Sequence, residues 1–496
     1  MVHFGLLCLT AALAISAEAQ TAQPDLVLTG TISGADNHTY REVPFEVPAG
    51  TARITIEFSY TGRDQHTAID LGLFDPERFR GWSGGKQGPV TLSETDATPS
   101  YLPGPIRSGP WKLLLGIPNI RSGARSEFTA KMYFQRVALE SRVSTFSNAP
   151  LRPESGWYRG DLHLHTGHSD ASCLSQSGHL VPCPVFKTLA AAAERQLDFV
   201  AITDHNTTSQ YEALRELQPY FDRLLIVPGR EITTFEGHLN MFGTTEFIDF
   251  RVGSPSVPTM DALLDQVQRL QALISINHPN DPTGEVCMGC KWEAADANLT
   301  QIQAVEAVND GNSGGPLSGI PFWEAQLNRG FHLTGIGGSD SHRPDEKSKP
   351  LSGVGYPTTV VQADQLSERA ILEGIRAGRV FIDVEGTPDR LLEFTATSEG
   401  ATVLMGGALN APSGTMIHFS VHVSGVRGAR LEVIEDAGVI LPVAEPNAAG
   451  DDARESFDLV SDGRRHWIRI NVRDREDRLL LVGNPIYWNV ADSRQN

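Results

Sequence analysis

Cysteine is scarce in this chain, with five in 496 residues. No second C-x-x-C accompanies Cys287-Met-Gly-Cys290, which argues against a four-cysteine zinc site. Positive charge is also short. Lys and Arg number 41 against 60 Asp and Glu, and the formal charge of −19 is relieved by no basic stripe or Arg-rich arm. A phosphate backbone needs a basic surface, so nucleic acid is not expected as a bulk partner. No G-x-S-x-G elbow surrounds Ser339 or Ser341, and G-G-S-D lacks the spacing of a phosphate-cradling loop. The apolar run from Gly5 to Ser16 is too short to span a bilayer, and no later stretch is longer. Followed by the small-x-small pattern Ala17-Glu18-Ala19, it reads as a signal peptide over residues 1–19, although no Lys or Arg precedes it. A periplasmic or secreted protein is expected, without membrane insertion after cleavage. Solenoid repeats and long low-complexity tracts are absent, and the oligomeric state is not encoded in any pattern.

What the chain does have is histidine in pairs. His163 and His165 follow Asp161 in G-D-L-H-L-H-T-G-H-S-D, and I-T-D-H-N comes about forty residues later. On an extended segment side chains alternate, so an H-x-H pair projects both imidazoles from one face. Two converging neutral imidazoles are a partial ligand set for a divalent metal. Further apolar runs end in similar groups: Asp204 and His205 close L-D-F-V-A-I-T-D-H, and Glu231 closes L-L-I-V-P-G-R-E, with His238 following. His278 closes A-L-I-S-I-N-H, and Asp340 and His342 close H-L-T-G-I-G-G-S-D-S-H. Helical patterns over Pro184 to Gln196, Met260 to Gln271 and Pro321 to Arg329 separate several of these runs. Strands alternating with helices imply parallel βαβ units, whose C-terminal strand ends share one face where catalytic groups collect.

As a set, these motifs resemble the PHP (polymerase and histidinol phosphatase) family over roughly Trp157 to Val384, about half the chain. The resemblance implies a metallohydrolase domain over 157–390, a central distorted (β/α)7 barrel. It implies His163, His165 and Asp340 as ligands of a first metal, Glu231 as a carboxylate bridging two metals, and His238 and His278 completing the second site. Asp170, His205 and His342 match positions that hold a third metal in some members and contact substrate in others. Ala171 stands where the family usually has Gly, and an Asp stands in the third site where some trinuclear members carry His, which favours two metals. The strings W-Y-R-G-D-L-H-L-H-T, G-H-L-N-M-F-G and N-P-I-Y-W look most like a secreted branch related to carbamate-insecticide hydrolases and phosphodiesterases.

Two divalent ions bridged by Glu231 are expected to hold a water and lower its pKa toward neutrality for attack on an ester. Imidazoles favour zinc, and the carboxylates also suit manganese or, as a third option, iron. His205 is the candidate for contacting the substrate phosphate or protonating the leaving oxygen, with Asp204 orienting its ring. Arg230 and Arg343, each beside a candidate ligand, are candidate anion contacts. The substrate is expected to be a small-molecule phosphate ester, a diester first. Carbamate or carboxyl-ester hydrolysis at the same metals and a non-catalytic, metal-stabilised binding protein are the alternatives.

Residues 20–140 read as all-β, in stretches such as A-R-I-T-I-E-F and W-K-L-L-L-G-I, and resemble β-sandwich modules appended to secreted hydrolases. A packing or stability role is favoured for them over carbohydrate binding. A linker over 141–156 follows. After a helical segment from Ser367 to Ala377, residues 391–496 return to a β pattern as a second β-sandwich-like domain, in which His418 and His422 read as surface residues. The chain is therefore expected to be multidomain, α/β plus all-β. Apart from Cys8 in the signal segment, Cys173, Cys183, Cys287 and Cys290 allow three pairings; disulfides pinning the loops after His165 and His278 are expected in an oxidising compartment.

Overall fold

The computed structural model describes residues 23–51, 53–84, 89–93, 97–98, 100–135, 149–244, 247–285, 287–345, 353–436, 438–443 and 451–490. The expected signal segment and half of the expected linker lie outside them. No helix among the described residues is long and apolar enough to cross a membrane.

The N-terminal region is a sandwich of two four-stranded antiparallel sheets. One holds Leu26–Ser33, Arg125–Gln135, Arg53–Tyr60 and Val90–Ser93; the other holds Thr39–Val47, Gly109–Asn119, Ala68–Phe74 and Phe79–Ser83. Alternation fills the space between them, with Ile54, Ile56 and Phe128 meeting Leu71, Trp111, Leu113 and Leu115. The run Leu113-Leu114-Leu115 breaks that alternation for a physical reason. Leu114 points out of the sandwich and, with Phe79 and Trp82, joins the core of the central region.

The central sheet runs Thr334–Gly338, Ala304–Asn309, Leu273–Ile276, His238–Phe242, Leu225–Thr233, Phe199–Ile202, Gly156–Asp161, Thr358–Ala363 and Val380–Asp383. It is mixed rather than parallel throughout. Leu225–Thr233 and His238–Phe242 form an antiparallel hairpin, and Thr358–Ala363 runs antiparallel to Gly156–Asp161. The hairpin carries functional weight: pairing Thr233 with His238 brings Glu231 and His238 to the same sheet end. Helices are Val185–Glu194, Gln210–Leu217, Met260–Arg269, Ile320–Arg329 and Glu368–Arg376. Gln210–Leu217 was not anticipated from the pattern, whereas Thr259 and Ser367 cap their helices by accepting from the backbone N–H of Ala262 and Ala370.

Among the described residues the anticipated (β/α)7 closure is not seen as a backbone ladder. Between Thr334–Gly338 and Thr358–Ala363 the link is a side chain: the Thr359 hydroxyl donates to the Gly337 carbonyl (2.7 Å) and accepts from its N–H (2.8 Å). Between Thr334–Gly338 and Val380–Asp383 sits the amide of Asn484. It accepts from Gly335 N–H at 2.7 Å and donates to Gly335 O at 2.8 Å and Val380 O at 2.9 Å.

Beyond Val380–Asp383 the same sheet continues through Leu479–Gly483, His466–Arg473, Arg430–Glu435 and Gly438–Val443. A second sheet of Ala401–Leu404, Leu391–Ser398, Met416–Ser424 and Asp452–Val460 packs on this extension through Phe394, Phe419, Leu431, Ile468 and Ile470. His418 is exposed and pairs with Asp458 (2.6 Å), while His422 is half-buried between Glu393 (2.8 Å) and Asp452 (3.1 Å). Cys287 and Cys290 form a disulfide in the loop after His278. Cys173 and Cys183 are buried together beside the loop after His165 but are not bonded, so that half of the disulfide expectation is corrected.

Candidate metal centre

Glu231, fully buried near the end of its strand, is the hub of the site. Its Oε2 lies 3.4 Å from His163 Nε2, 3.5 Å from His165 Nε2 and 2.9 Å from His205 Nδ1. Its Oε1 lies 3.0 Å from His238 Nδ1 and 3.3 Å from His278 Nε2. One carboxylate thus faces two groups of imidazoles, one through each oxygen. Asp340 Oδ1 closes the first group, 3.3 Å from His163 Nε2 and 2.9 Å from His165 Nε2. A third group forms beside it, where Asp170 reaches His342 Nε2 (3.3 Å) and His205 Nε2 (3.6 Å). The rings of His165 and His342 stack at 4.0 Å.

Four sets of ligand atoms lie mutually within 4.8 Å: His163, His165 and Glu231; His163, His278 and Asp340; His165, Asp170, His205 and His342; and His238, His278 and Cys290. In the last set Cys290 is held in its disulfide. His163 Nε2 and Glu231 Oε2 are buried, face one another and have no hydrogen-bond partner among the described residues. Buried polar atoms are seldom left so, and a divalent cation between them would satisfy both. The residues fit such an ion.

The backbone is bent to make this convergence. His278 and Asp340 adopt positive φ (25° and 51°), a conformation that costs free energy and clusters at functional sites. Gly338 is small by necessity, since a Cβ there would lie 2.5 Å from both His163 Cβ and Glu306 Oε1.

Electrostatics follow from crowding. Burial acts against charge on His163, yet Asp340, Glu306 and Glu231 outweigh it and hold its pKa well above the usual imidazole value. Burial is likewise overcome at His205, raised to about 9 by Glu231 and Asp170, and at His342, raised to about 10 by Asp170 and Asp340. Against burial, His205, His163 and His238 hold Glu231 well below the carboxylate range, and His163 does the same for Asp340. His165 falls to about 4 through burial and the neighbouring His342 and His205.

Two residues escape the sequence motifs. Glu306 Oε1 lies 2.7 Å from His163 Nδ1, and its Oε2 accepts from His278 N–H (3.1 Å) and Asn309 Nδ2 (3.0 Å). A carboxylate behind a ligating histidine fixes its tautomer and ring orientation. The clue was available, a lone Glu inside the buried run A-V-E-A-V-N. Asn277 Nδ2 donates to Glu231 Oε1 at 3.2 Å.

Three expected roles are corrected. Asp204 does not orient His205; it accepts from Thr166 N–H (2.8 Å), Thr166 Oγ1 (2.7 Å) and Ser169 Oγ (2.7 Å), tying down the loop after His165. His205 Nδ1 instead meets Thr233 Oγ1 at 2.7 Å. Arg230 is buried at the strand position beside Glu231, hence on the opposite face, and does not line the cavity. Arg343 does not line it either.

That cavity, of about 630 Å³, contains Asp170, His205, Glu231, His238, His278, Asp340 and His342 in its wall. The N-terminal sandwich closes over it. Ser100 Oγ donates to the His168 carbonyl, Thr207 Oγ1 donates to the Ser100 carbonyl (2.9 Å), and Tyr40, Asp70 and Trp82 join the lining.

No family model and no curated protein matches the chain. Among solved structures it is similar to a two-domain protein from Bacteroides vulgatus containing a predicted PHP-like metal-dependent phosphoesterase. That match has 15% identity and a TM-score of 0.37, and covers 70% of this chain and 99% of the other. It is also similar to a candidate metal-dependent phosphoesterase from Bifidobacterium adolescentis, with 16% identity, a TM-score of 0.29, and coverage of 44% and 95%.

Proposed function

We propose that the chain is a PHP-type metal-dependent hydrolase of small phosphate esters, diesters first, acting outside the reducing cytosol. The observation that carries this is the Glu231 carboxylate, with His163, His165 and His205 at one oxygen and His238 and His278 at the other. When bound, divalent zinc or manganese supplies Lewis acidity and an acidified water nucleophile at neutral pH. The protein's own groups do the rest. Glu231 keeps the two halves of the centre in register, and Glu306 fixes the His163 ring from behind. His205 has its Nδ1 on Thr233 Oγ1 and presents its Nε2 on the Asp170 side of the cavity, where it can hand a proton to the leaving oxygen. The Cys287–Cys290 disulfide in the cavity wall supports an oxidising compartment.

One observation favours carbamate or carboxyl-ester hydrolysis as a second reading. No Lys or Arg is among the described residues that line the cavity, so an uncharged ester meets no unmatched acceptor there. Metal-stripped protein, reloaded with zinc or manganese and assayed on bis(4-nitrophenyl) phosphate and a 4-nitrophenyl carbamate, separates the two. Turnover of the phosphodiester that vanishes in Glu231→Gln is the expected result. Turnover of the carbamate alone would transfer the assignment to the second reading, and full phosphodiesterase activity in the variant would remove Glu231 from the centre.

A further inference from the structure

The cavity has two chemically different walls. One is the ring of imidazoles and carboxylates; the other is apolar and is shared between the N-terminal sandwich and the central region. Tyr40 reaches in from Thr39–Val47 and stacks on Phe235 of the central region, centroids 5.1 Å apart and planes 13° from parallel. Trp82 reaches in from Phe79–Ser83 with its indole laid over Gly72 and Gly116, where a Cβ would come within 2.7 and 2.3 Å of the ring. These two glycines set how deep the indole sits. Leu180, Val181, Pro182 and Met288 of the central region complete the apolar side, with Ala68 and Pro118 from the sandwich. The charged groups in the lining, apart from the imidazoles, are the carboxylates Asp70, Asp170, Glu231 and Asp340. Among the described residues, a second anionic group on a substrate would meet acidic side chains and no lysine or arginine, whereas an aromatic group would meet ring faces and edges.

We propose that the N-terminal sandwich builds the part of the chamber that holds the organic arm of the ester. This wall selects an uncharged aromatic or bulky apolar arm over a charged one. The proposal rests on the hydrolase assignment for the reacting end and adds the substrate class. It replaces the purely structural role that the β pattern of residues 20–140 suggested.

Calorimetric titration of the metal-loaded, full-length chain tests it with three probes: diphenyl phosphate, dimethyl phosphate and the uncharged 4-nitroanisole. Diphenyl phosphate is expected to bind at least about tenfold more tightly than dimethyl phosphate. In Trp82→Ala that preference should shrink to less than about threefold. Should Trp82→Ala fail to fold, Tyr40→Ala, which removes the sandwich's other ring in the lining, 6.1 Å from the indole, is expected to shrink the preference in the same way. Equal affinity of the two diesters for the unmodified protein, or a preference that survives both substitutions, would overturn the proposal. Failure of the hydrolase assignment looks different. Neither phosphate would then bind, while 4-nitroanisole would still bind in a Trp82-dependent manner and the chamber would stand.

Discussion

The two β-rich flanks look alike as sequence and do different jobs. The N-terminal sandwich docks side-on over the mouth of the cavity, whereas the C-terminal strands extend the central sheet edge to edge, Phe381 pairing with Gly483 and Asp383 with Leu481. The contrast lies in which surfaces are apolar. In Leu391–Ser398 burial alternates strictly, leaving a polar outer face. In Gly109–Asn119 the run Trp111 to Ile117 has only Lys112 exposed, because one face fills the sandwich and the other meets the central region. A β-domain that docks by its face carries continuous apolar runs; one that docks by its edge keeps its alternation except in shared strands such as L-L-L-V-G.

The comparison predicts that damage on the C-terminal side costs stability and damage on the N-terminal side alters substrate choice. The largest stability effect is expected from Asn484→Ala, which strips three buried hydrogen bonds from Gly335 and Val380. A loss of about 2–4 kcal/mol is predicted, read by chemical denaturation, with KM for the remaining folded enzyme little changed. A shift in KM without a loss of stability would break the contrast. Next comes Gly116→Ala, which drives a methyl into the Trp82 indole. A cost of about 1–3 kcal/mol is expected, accompanied by a change in the ratio of aryl to alkyl ester affinities. The smallest is Glu42→Ala, which cuts the pair with Arg251 across the N-terminal interface (2.8 Å) and leaves Arg251 on Asp249 (2.6 Å). No more than about 1 kcal/mol should be lost, and a large loss would mean that the sandwich is held by charge rather than by its apolar face.

The reacting centre behaves differently from either flank, and its predictions are chemical. Glu306→Gln should lower metal affinity by about 10–100-fold, since it removes the carboxylate that orients His163. Metal loading at pH 7 should release protons. His163, which Asp340, Glu306 and Glu231 hold well above the usual imidazole value against burial, is protonated in the metal-free chain and must give up that proton to bind an ion. Apparent affinity should therefore rise with pH until the His163 value is passed and fall on acidification, as potentiometric titration would record.

The centre was legible because its ligands end short apolar runs, and sheet geometry gathers strand ends. His163, His165, Glu231, His278 and Asp340 could be named from that pattern alone. His238 lay at the start of a strand rather than its end, and came through the resemblance; the hairpin after Thr233 is the physical reason it belongs. Glu306 was missed because it sits inside a strand, where alternation hides it among Ala and Val. Adjacency misled for Arg230, since a sequence neighbour on a strand points to the opposite face, and for Asp204, which lies past the end of Phe199–Ile202 and turns to Thr166 and Ser169. The docking of the N-terminal sandwich was half-visible in W-K-L-L-L-G-I, but local pattern does not say which surface a doubly apolar strand will meet.

The central claim is that Glu231 joins two sets of imidazoles around divalent cations. Titration of zinc into metal-stripped wild-type chain and into Glu231→Gln, followed by calorimetry with elemental analysis, tests it most directly. The account predicts more than one tightly held ion per wild-type chain and the loss of tight binding in the variant. Wild-type protein that takes up no zinc, or a variant that matches it in stoichiometry and affinity, would contradict it.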